Sequence, residues 1–140
     1  LDESIRHIDP VNDRQKQRLL GDARALLFPV DWPEPFGLVM IEAMACATPV
    51  IAFRCGSVPE VVEHGVSGFI VDSEDEAVAA IAALPDLDRR RVRAAFDARF
   101  TAQRMAADYV ALYHDLPGAR TDAARLRRHR GVEAELQIVA

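Results

Sequence analysis

Residues 34–47 read Glu-Pro-Phe-Gly-Leu-Val-Met-Ile-Glu-Ala-Met-Ala-Cys-Ala, and they contain the most informative element of the chain. From Gly37 to about Ala47 it predicts a helix whose side chains are apolar on every face, apart from Glu42. A helix of that kind is buried between a sheet and its neighbours. The stretch therefore predicts an internal helix with a single carboxylate on it.

Glu42 is the one charged residue of this predicted helix. A buried carboxylate without hydrogen-bond donors is costly, so some partner has to meet it. Two interpretations stay open. A structural partner such as Arg54, or partial exposure at the helix edge, would satisfy the charge without any function. A ligand rich in hydroxyl groups would satisfy it as a binding site.

Glu34 precedes the same helix, in a proline-rich loop over residues 29–35. We expect free N–H groups around Phe36, Gly37 and Leu38 to point out of the helix N-terminus and, with the helix dipole, to form an anion site. Because Gly37 has no side chain, a phosphate or a sugar could approach the backbone closely. The layout suits a sugar, a diphosphate and a ribose. Two incidental glutamates are the alternative, which stays open.

Short apolar runs alternate with helical patterns along the chain. Strands are predicted at 5–8, 24–28, 49–53 and 69–71, and helices at about 12–23, 37–47, 59–63, 74–84, 88–99 and 102–116. Alternation of this kind predicts an α/β fold with a parallel sheet of about four strands flanked by helices. Ligands of such sheets bind at the carboxyl ends of the strands, where the 29–35 loop lies.

Composition excludes several classes of protein. The chain has 140 residues and a formal net charge of −5, so it presents no general basic field for nucleic acid. Cys46 and Cys55 form neither a metal motif nor a disulfide framework. No signal peptide or membrane span is visible, which makes the cytoplasm the default location. The arginines between 120 and 130 are interpreted as a solvated helix face.

Four blocks of sequence, in order, carry a resemblance to a known family. Residues 34–42 match the E-x7-E motif, and residues 42–51, Glu-Ala-Met-Ala-Cys-Ala-Thr-Pro-Val-Ile, resemble E-A-M-A-x-G-x-P-V-[IV]. Residues 56–62, Gly-Ser-Val-Pro-Glu-Val-Val, and 65–71, Gly-Val-Ser-Gly-Phe-Ile-Val, resemble the next two blocks. The family is that of the retaining glycosyltransferases of family 4, whose GT-B fold has two Rossmann-like domains.

The resemblance implies roles for individual residues. Glu34 would act at the catalytic centre by hydrogen-bonding hydroxyls of the transferred sugar, and Glu42 would bind the ribose hydroxyls. Backbone N–H groups of Phe36, Gly37 and Leu38 would contact the distal phosphate and the sugar. The turn that ends at Gly56 would lie near the base or the ribose. The donor would be a nucleotide diphosphate sugar, with no metal and no further cofactor, and for Glu60 a structural role at a helix start is preferred.

Some features of the family pattern are replaced or missing. Ala47 and Ser57 stand where glycine is common, and an alanine in the left-handed conformation costs about 1 kcal/mol. The acceptor domain and the upstream arginine and lysine that neutralise the diphosphate are not in this sequence, since Lys16 is the only lysine and its helix does not match that motif. Residues 1–116 are thus expected to be a truncated, Rossmann-like donor domain, and 117–140 a polar arginine-rich tail.

Truncation leads to further expectations. The 24–28 strand would have an unpaired apolar edge, so we expect self-association or pairing of residues 5–8 against that edge. The isolated fragment is expected to show negligible transfer. A non-catalytic interaction module, or a fragment of another GT-B enzyme such as an epimerase or a phosphorylase, is the alternative. The acceptor stays unknown, and contact of the tail with a membrane in the full-length enzyme is left open.

Overall fold

Residues 4–116 are described by the computed structural model, in which helices and strands alternate. In chain order the elements are α1 (Asp13–Asp22), β1 (Leu26–Phe28), α2 (Leu38–Ala45), β2 (Val50–Phe53), α3 (Val58–Val61), β3 (Gly68–Val71), α4 (Glu74–Ala83), a 3-10 turn (Leu84–Asp86), α5 (Arg89–Arg99) and α6 (Ala102–Asp115). The arginines between 120 and 130, interpreted from the sequence as a solvated helix face, lie outside the described residues. The predicted order of helices and strands from residue 13 to residue 115 is confirmed.

The sheet is parallel, with the strand order β1-β2-β3. Leu26 pairs with Val50, and Val50 pairs with Gly68, so the three strands begin level with one another. Each strand is followed by a helix that returns the chain to the other end of the sheet, as parallel pairing requires. The predicted α/β fold class is therefore confirmed, with three strands in place of about four.

The prediction of a strand at residues 5–8 is wrong. This segment forms no regular element, and Ile5 and Ile8 are 58% and 49% exposed. Its two isoleucines are separated by Arg6 and His7, so the segment offers too little apolar surface to bury. The expected pairing of this segment with β1 is wrong for the same reason. Within residues 4–116 the outer edge of β1 has no strand partner, and self-association through it stays a prediction.

Helix α2 lies at the centre of the core. Met40, Ala43 and Met44 have no exposed surface, and they pack against inward-facing residues of β2 and against α5. Their spacing of three and four places them on one face of the helix. Burial of each methionine contributes about 1.5–3 kcal/mol. Ile51 points to the opposite face of the sheet, where α4 packs, so the sheet has helices on both sides.

The prediction that α2 is buried on every face is wrong in part. Leu38, at its first turn, is 64% exposed, and the Glu42 side chain is 36% exposed. These two residues are four apart, so they lie one above the other on the same side of the helix. That side is not covered by the sheet or by α5. The apolar composition of α2 correctly predicts that most of the helix is buried, but it does not predict the exposed side.

Arg89 ties the carboxyl ends of two helices together. Its guanidinium donates hydrogen bonds to the carbonyl oxygens of Ala23 at 2.9 Å, Gly21 at 3.1 Å and Ala47 at 2.8 Å. It also donates to Thr48 Oγ1 at 2.7 Å. These carbonyls lie at the carboxyl ends of α1 and α2, where unsatisfied acceptors and the negative end of the helix dipole favour a cation. One side chain from α5 therefore fixes α1 and α2 relative to each other.

The chain divides into two compact units, the first ending at Thr101. In the second, α6 carries exposed apolar side chains at helical spacing, Met105, Tyr109, Leu112 and Tyr113, and the exposed Leu116 follows its last residue. The rings of Tyr109 and Tyr113 lie 6.2 Å apart, and Arg104 pairs with Asp108 at 2.9 Å. No helix of the described part is long and apolar enough to cross a bilayer.

Ala47 adopts the left-handed conformation, with φ of +58°. We expect Ala47→Gly to raise the free energy of unfolding by about 1 kcal/mol, because glycine removes the steric cost of this conformation. Ala45→Gly, two residues earlier and inside α2, is the matched control and should lower it by about 1 kcal/mol. Urea unfolding of the two variants measures both effects. Equal destabilisation by the two substitutions would contradict the assignment of strain to Ala47.

Candidate functional site

The Glu34 carboxylate lies at the amino end of α2. Glu34 Oε1 accepts a hydrogen bond from the Gly37 N–H at 3.2 Å, and the Glu34 N–H donates to the Trp32 carbonyl at 2.7 Å. Both bonds hold the loop in a tight turn before the helix. The expectation that the Gly37 N–H is free is therefore wrong in this structure. The N–H groups of Leu38 and Val39 belong to the first turn of α2, which provides no acceptor for them.

The conformation of the backbone requires a glycine at position 37. Its φ is +69°, a left-handed conformation that favours glycine. A Cβ at this position would lie 2.7 Å from Met40 Cε and 3.2 Å from Phe28 Cζ. The missing side chain therefore makes room for the core, and close approach of a ligand to this backbone stays a prediction. Gly37 joins the exposed loop to the buried helix.

Gly56 holds the Glu34 loop from the other side. Its φ is +53°, and a Cβ there would lie 2.5 Å from the Glu34 carbonyl oxygen and 2.6 Å from the Glu34 nitrogen. The next residue, Ser57, donates its backbone N–H to the same carbonyl oxygen at 3.0 Å. The turn after β2 thus packs directly on the backbone of Glu34. Glu34 and Gly56 were both predicted site residues, but the sequence did not predict the contact between them.

Glu42 has a cationic partner, and it is not Arg54. Lys16 of α1 places its Nζ 2.7 Å from Glu42 Oε1, whereas Arg54 pairs with Asp72 at 3.0 Å. Arg54 as a partner was one of the open alternatives, and it is excluded. The hydrogen bond to Glu42 raises the pKa of the Lys16 ammonium above its ordinary value, and Asp13 at 3.6 Å adds to the effect. Partial exposure of Glu42, another open alternative, is confirmed.

Phe36 packs at the edge of the site. It is 40% exposed, and its ring meets that of Phe100 edge-on at 6.4 Å and 77°. Arg99 lies over the Phe100 ring at 4.7 Å and donates to the backbone carbonyls of Glu60 and Val61. This cluster fixes α3 and the Phe36 loop against the end of α5. Glu60 takes part through its backbone carbonyl, which agrees with a structural role.

The expected site residues therefore lie on one helix and the two turns around its amino end. Gly37, Leu38 and Glu42 belong to α2 or its cap, Glu34 lies just before it, and Gly56 packs on Glu34. Gly37 and Glu42 are about 7.5 Å apart along the helix axis. Among residues 4–116 no group of three or more histidine, cysteine or acidic side chains is arranged to hold a metal ion. The arrangement offers two carboxylates and a helix N-terminus.

Comparison with known proteins decides the family. The model of the family "Glycosyl transferases group 1" matches residues 1–99, which is most of the described chain. The chain belongs to this family. A D-inositol 3-phosphate glycosyltransferase of Corynebacterium efficiens is 35% identical over 94% of this chain. An N-acetyl-alpha-D-glucosaminyl L-malate synthase of Bacillus anthracis is 35% identical over 59% of it.

A solved structure supports the same assignment for this group 1 glycosyltransferase domain. HepE of Anabaena, crystallised in complex with UDP, superposes with a TM-score of 0.63 and 28% sequence identity over 71% of this chain. The likeness to this protein confirms the GT-B type of fold. The chain spans 32% of the Corynebacterium relative, 24% of the Bacillus relative and 29% of HepE. It is thus about a third or less of the length of these relatives.

Gly56→Ala should separate contact with Glu34 from backbone strain. Gly65 has a φ of +76° but open space around its missing Cβ, so Gly65→Ala is the matched control. We expect the control to lower the free energy of unfolding by about 1 kcal/mol, from strain alone. Gly56→Ala adds a clash with backbone atoms and should cost about 3 kcal/mol or more. Urea unfolding of both variants checks this, and equal losses would contradict the packing of Gly56 on Glu34.

Proposed function

We propose that this group 1 glycosyltransferase domain contributes half of a site for a nucleotide diphosphate sugar. The observation that carries the proposal is the placement of Glu34 at the amino end of α2 and of Glu42 on the exposed side of the same helix. The solved structure of HepE, which holds UDP, supports a nucleoside diphosphate as the common part of the donor. The whole protein would then be a retaining glycosyltransferase.

Phosphate binding would use the N-terminus of α2. The N–H groups of Leu38 and Val39 and the positive end of the helix dipole favour an anion there. Glu34 already places a carboxylate at this end, bonded to the Gly37 N–H. A phosphate at the same end would repel that carboxylate. We propose that Glu34 turns away from Gly37 when the donor binds, which releases the Gly37 N–H for the distal phosphate and lets Glu34 accept from hydroxyls of the sugar.

Ribose binding would use Glu42. Its Oε1 is held by Lys16, and Oε2 has no hydrogen-bond partner among residues 4–116. A ribose presents two adjacent hydroxyl donors, and hydrogen bonds to a carboxylate are stronger than those between neutral groups. Glu42 lies about 7.5 Å along α2 from Gly37, which leaves room for the ribose and its 5′ phosphate between the two positions.

Two arginines of α5 bind the carboxyl end of α2, away from the proposed phosphate site. Arg89 donates to the Ala47 carbonyl, and Arg93 donates to the Ala45 carbonyl at 2.8 Å. Transfer needs positive charge beside the departing diphosphate. We propose that this charge and the acceptor site are supplied outside residues 4–116, and that the chain by itself binds the donor weakly and transfers negligibly. The names of the two relatives indicate different reactions, so the acceptor is not assigned.

Titration of the ¹⁵N-labelled chain with UDP tests the proposal. At millimolar UDP we expect the largest amide shifts at Gly37, Leu38 and Val39, because these N–H groups would meet the phosphates. Uridine, which lacks the diphosphate, is the ligand control and should leave these amides nearly unchanged.

Glu34→Gln removes the charge that competes with phosphate, so it should strengthen binding of UDP, which carries no sugar, by about two- to fivefold.

Two results would contradict the proposal. Amide shifts spread over α4 and the far face of the sheet would place the nucleotide elsewhere. The absence of any shift at millimolar UDP, in a chain whose spectrum shows it to be folded, would favour a non-catalytic interaction module instead.

A further inference from the structure

The contact between Lys16 and Glu42 connects α1 with the exposed side of α2. Lys16 is the only lysine of the chain. Its Nζ lies 2.7 Å from Glu42 Oε1, and both side chains are 36% exposed. The other carboxylate near it, Asp13, is 3.6 Å away and fully exposed. The ammonium group is therefore directed at one oxygen of Glu42.

The start of α1 fixes this direction. Asn12 Oδ1 accepts from the Gln15 N–H at 3.0 Å, and Gln15 Oε1 accepts from the Asn12 N–H at 3.0 Å. This reciprocal cap sets the residue at which the helix begins and thus the face on which each side chain lies. Lys16 and Leu20 are four residues apart and share a face, and Leu20 packs on the core beside α2. Lys16 is thus held toward α2 by the cap and by the packing of its own helix.

Glu42 needs such a partner because of its place in α2. It is the fifth of eight residues, beyond the first turn in which the helix dipole favours a carboxylate. Arg89 and Arg93, the cations on α5, are bonded to carbonyls at the carboxyl end. Within the described residues, the Lys16 ammonium is the cation within hydrogen-bond distance of the Glu42 carboxylate.

We propose that Lys16 is a positioning residue for the ribose-binding carboxylate, holding Glu42 by Oε1 so that Oε2 is presented to the ribose diol. This inference rests on the proposed function, because it assigns Lys16 a role through Glu42. A pair that only pinned α1 to α2 would contribute little, since both groups are partly exposed to water. A positioned carboxylate, in contrast, loses fewer conformations when the ribose binds. Lys16 thus acts on recognition of the ribose hydroxyls more than on the fold.

Comparison of UDP with 2′,3′-dideoxyuridine 5′-diphosphate isolates that role. The dideoxy compound lacks both ribose hydroxyls, so the ratio of the two dissociation constants measures their recognition. We expect Lys16→Met to weaken UDP binding about five- to tenfold and to change binding of the dideoxy compound less than about twofold. The methionine retains the apolar stem of the lysine.

Two further variants serve as controls. Lys16→Arg keeps a cation at this position and should restore most of the preference for UDP. Arg14→Met removes one positive charge from an exposed residue of α1 and should leave the preference unchanged, which controls for the net charge of the helix.

The single lysine also gives a direct spectroscopic signal. In a chain labelled at the lysine Nζ, one side-chain ammonium resonance reports on this pair. Glu42→Gln should lower the pKa of Lys16 toward its ordinary value, because the hydrogen bond to Glu42 is the main cause of the raised pKa. UDP should shift this resonance, and the dideoxy compound should shift it less.

The outcomes separate this inference from the proposed function. If UDP shifts the amides at Gly37 but Lys16→Met keeps the full preference for UDP over the dideoxy compound, the positioning role is overturned and the proposed function stands. If Glu42→Gln leaves the Lys16 resonance and its titration unchanged, the pair itself is absent and the inference fails. If UDP shifts no amide of the folded chain, the proposed function fails and the role of Lys16 fails with it.

Discussion

Met40 and Met44 are fully buried between the sheet and α5, and their packing orients α2, the helix on which the candidate site is built. Because these side chains fix the rotation of α2 about its axis, they also fix its opposite side, on which Leu38 and Glu42 are exposed. The left-handed turn at Gly37 then carries the chain from the buried helix to the loop of Glu34. A helix that rotated by one residue would bury Glu42 and expose a methionine. The packing of the apolar core therefore determines where the carboxylates of Glu34 and Glu42 lie.

The charges around α2 follow its dipole. At the carboxyl end, Arg89 and Arg93 donate to backbone carbonyls, and at the amino end the Glu34 carboxylate accepts from Gly37. The arginines thus satisfy carbonyls at the carboxyl end, whereas at the amino end Glu34 satisfies only the Gly37 N–H. A diphosphate has to compete with Glu34 for the amino end, and Glu34 is at the same time the proposed acceptor for sugar hydroxyls. The sugar and the diphosphate are therefore coupled in this account, since each favours the same movement of Glu34.

The fold could be predicted from the sequence where local signals are strong. The apolar run around Met40 predicts α2, Asn12 caps α1 at the predicted start of that helix, and the apolar segments of β2 and β3 are correctly predicted as strands. The strand predicted at residues 5–8 does not form, because two isoleucines in a polar segment do not make an apolar face that a sheet could bury. The left-handed conformation of Ala47 was anticipated only because glycine is common at this position in the family.

The residues of the candidate site could be proposed from the sequence, but the contacts between them could not. Glu34, Gly37 and Glu42 were identified from their spacing, since they share a helix and its cap. The partners Lys16 and Gly56 come from α1 and from the turn after β2, at separations of 26 and 22 residues. Which side chain of α1 faces α2 depends on tertiary packing, so no local sequence pattern predicts it. The presence of a single lysine in a capped amphipathic helix was the one sequence feature that could have indicated Lys16 as the partner of Glu42.

A crystal structure of this chain soaked with UDP shows directly whether Glu42 binds the ribose. We expect hydrogen-bond distances of about 2.6–3.2 Å between the Glu42 carboxylate and the ribose hydroxyls. We also expect the β-phosphate on the N–H groups of Gly37 and Leu38, with Glu34 turned away from Gly37. A nucleotide bound elsewhere, with Glu34 still bonded to Gly37 and no contact to Glu42, would contradict it.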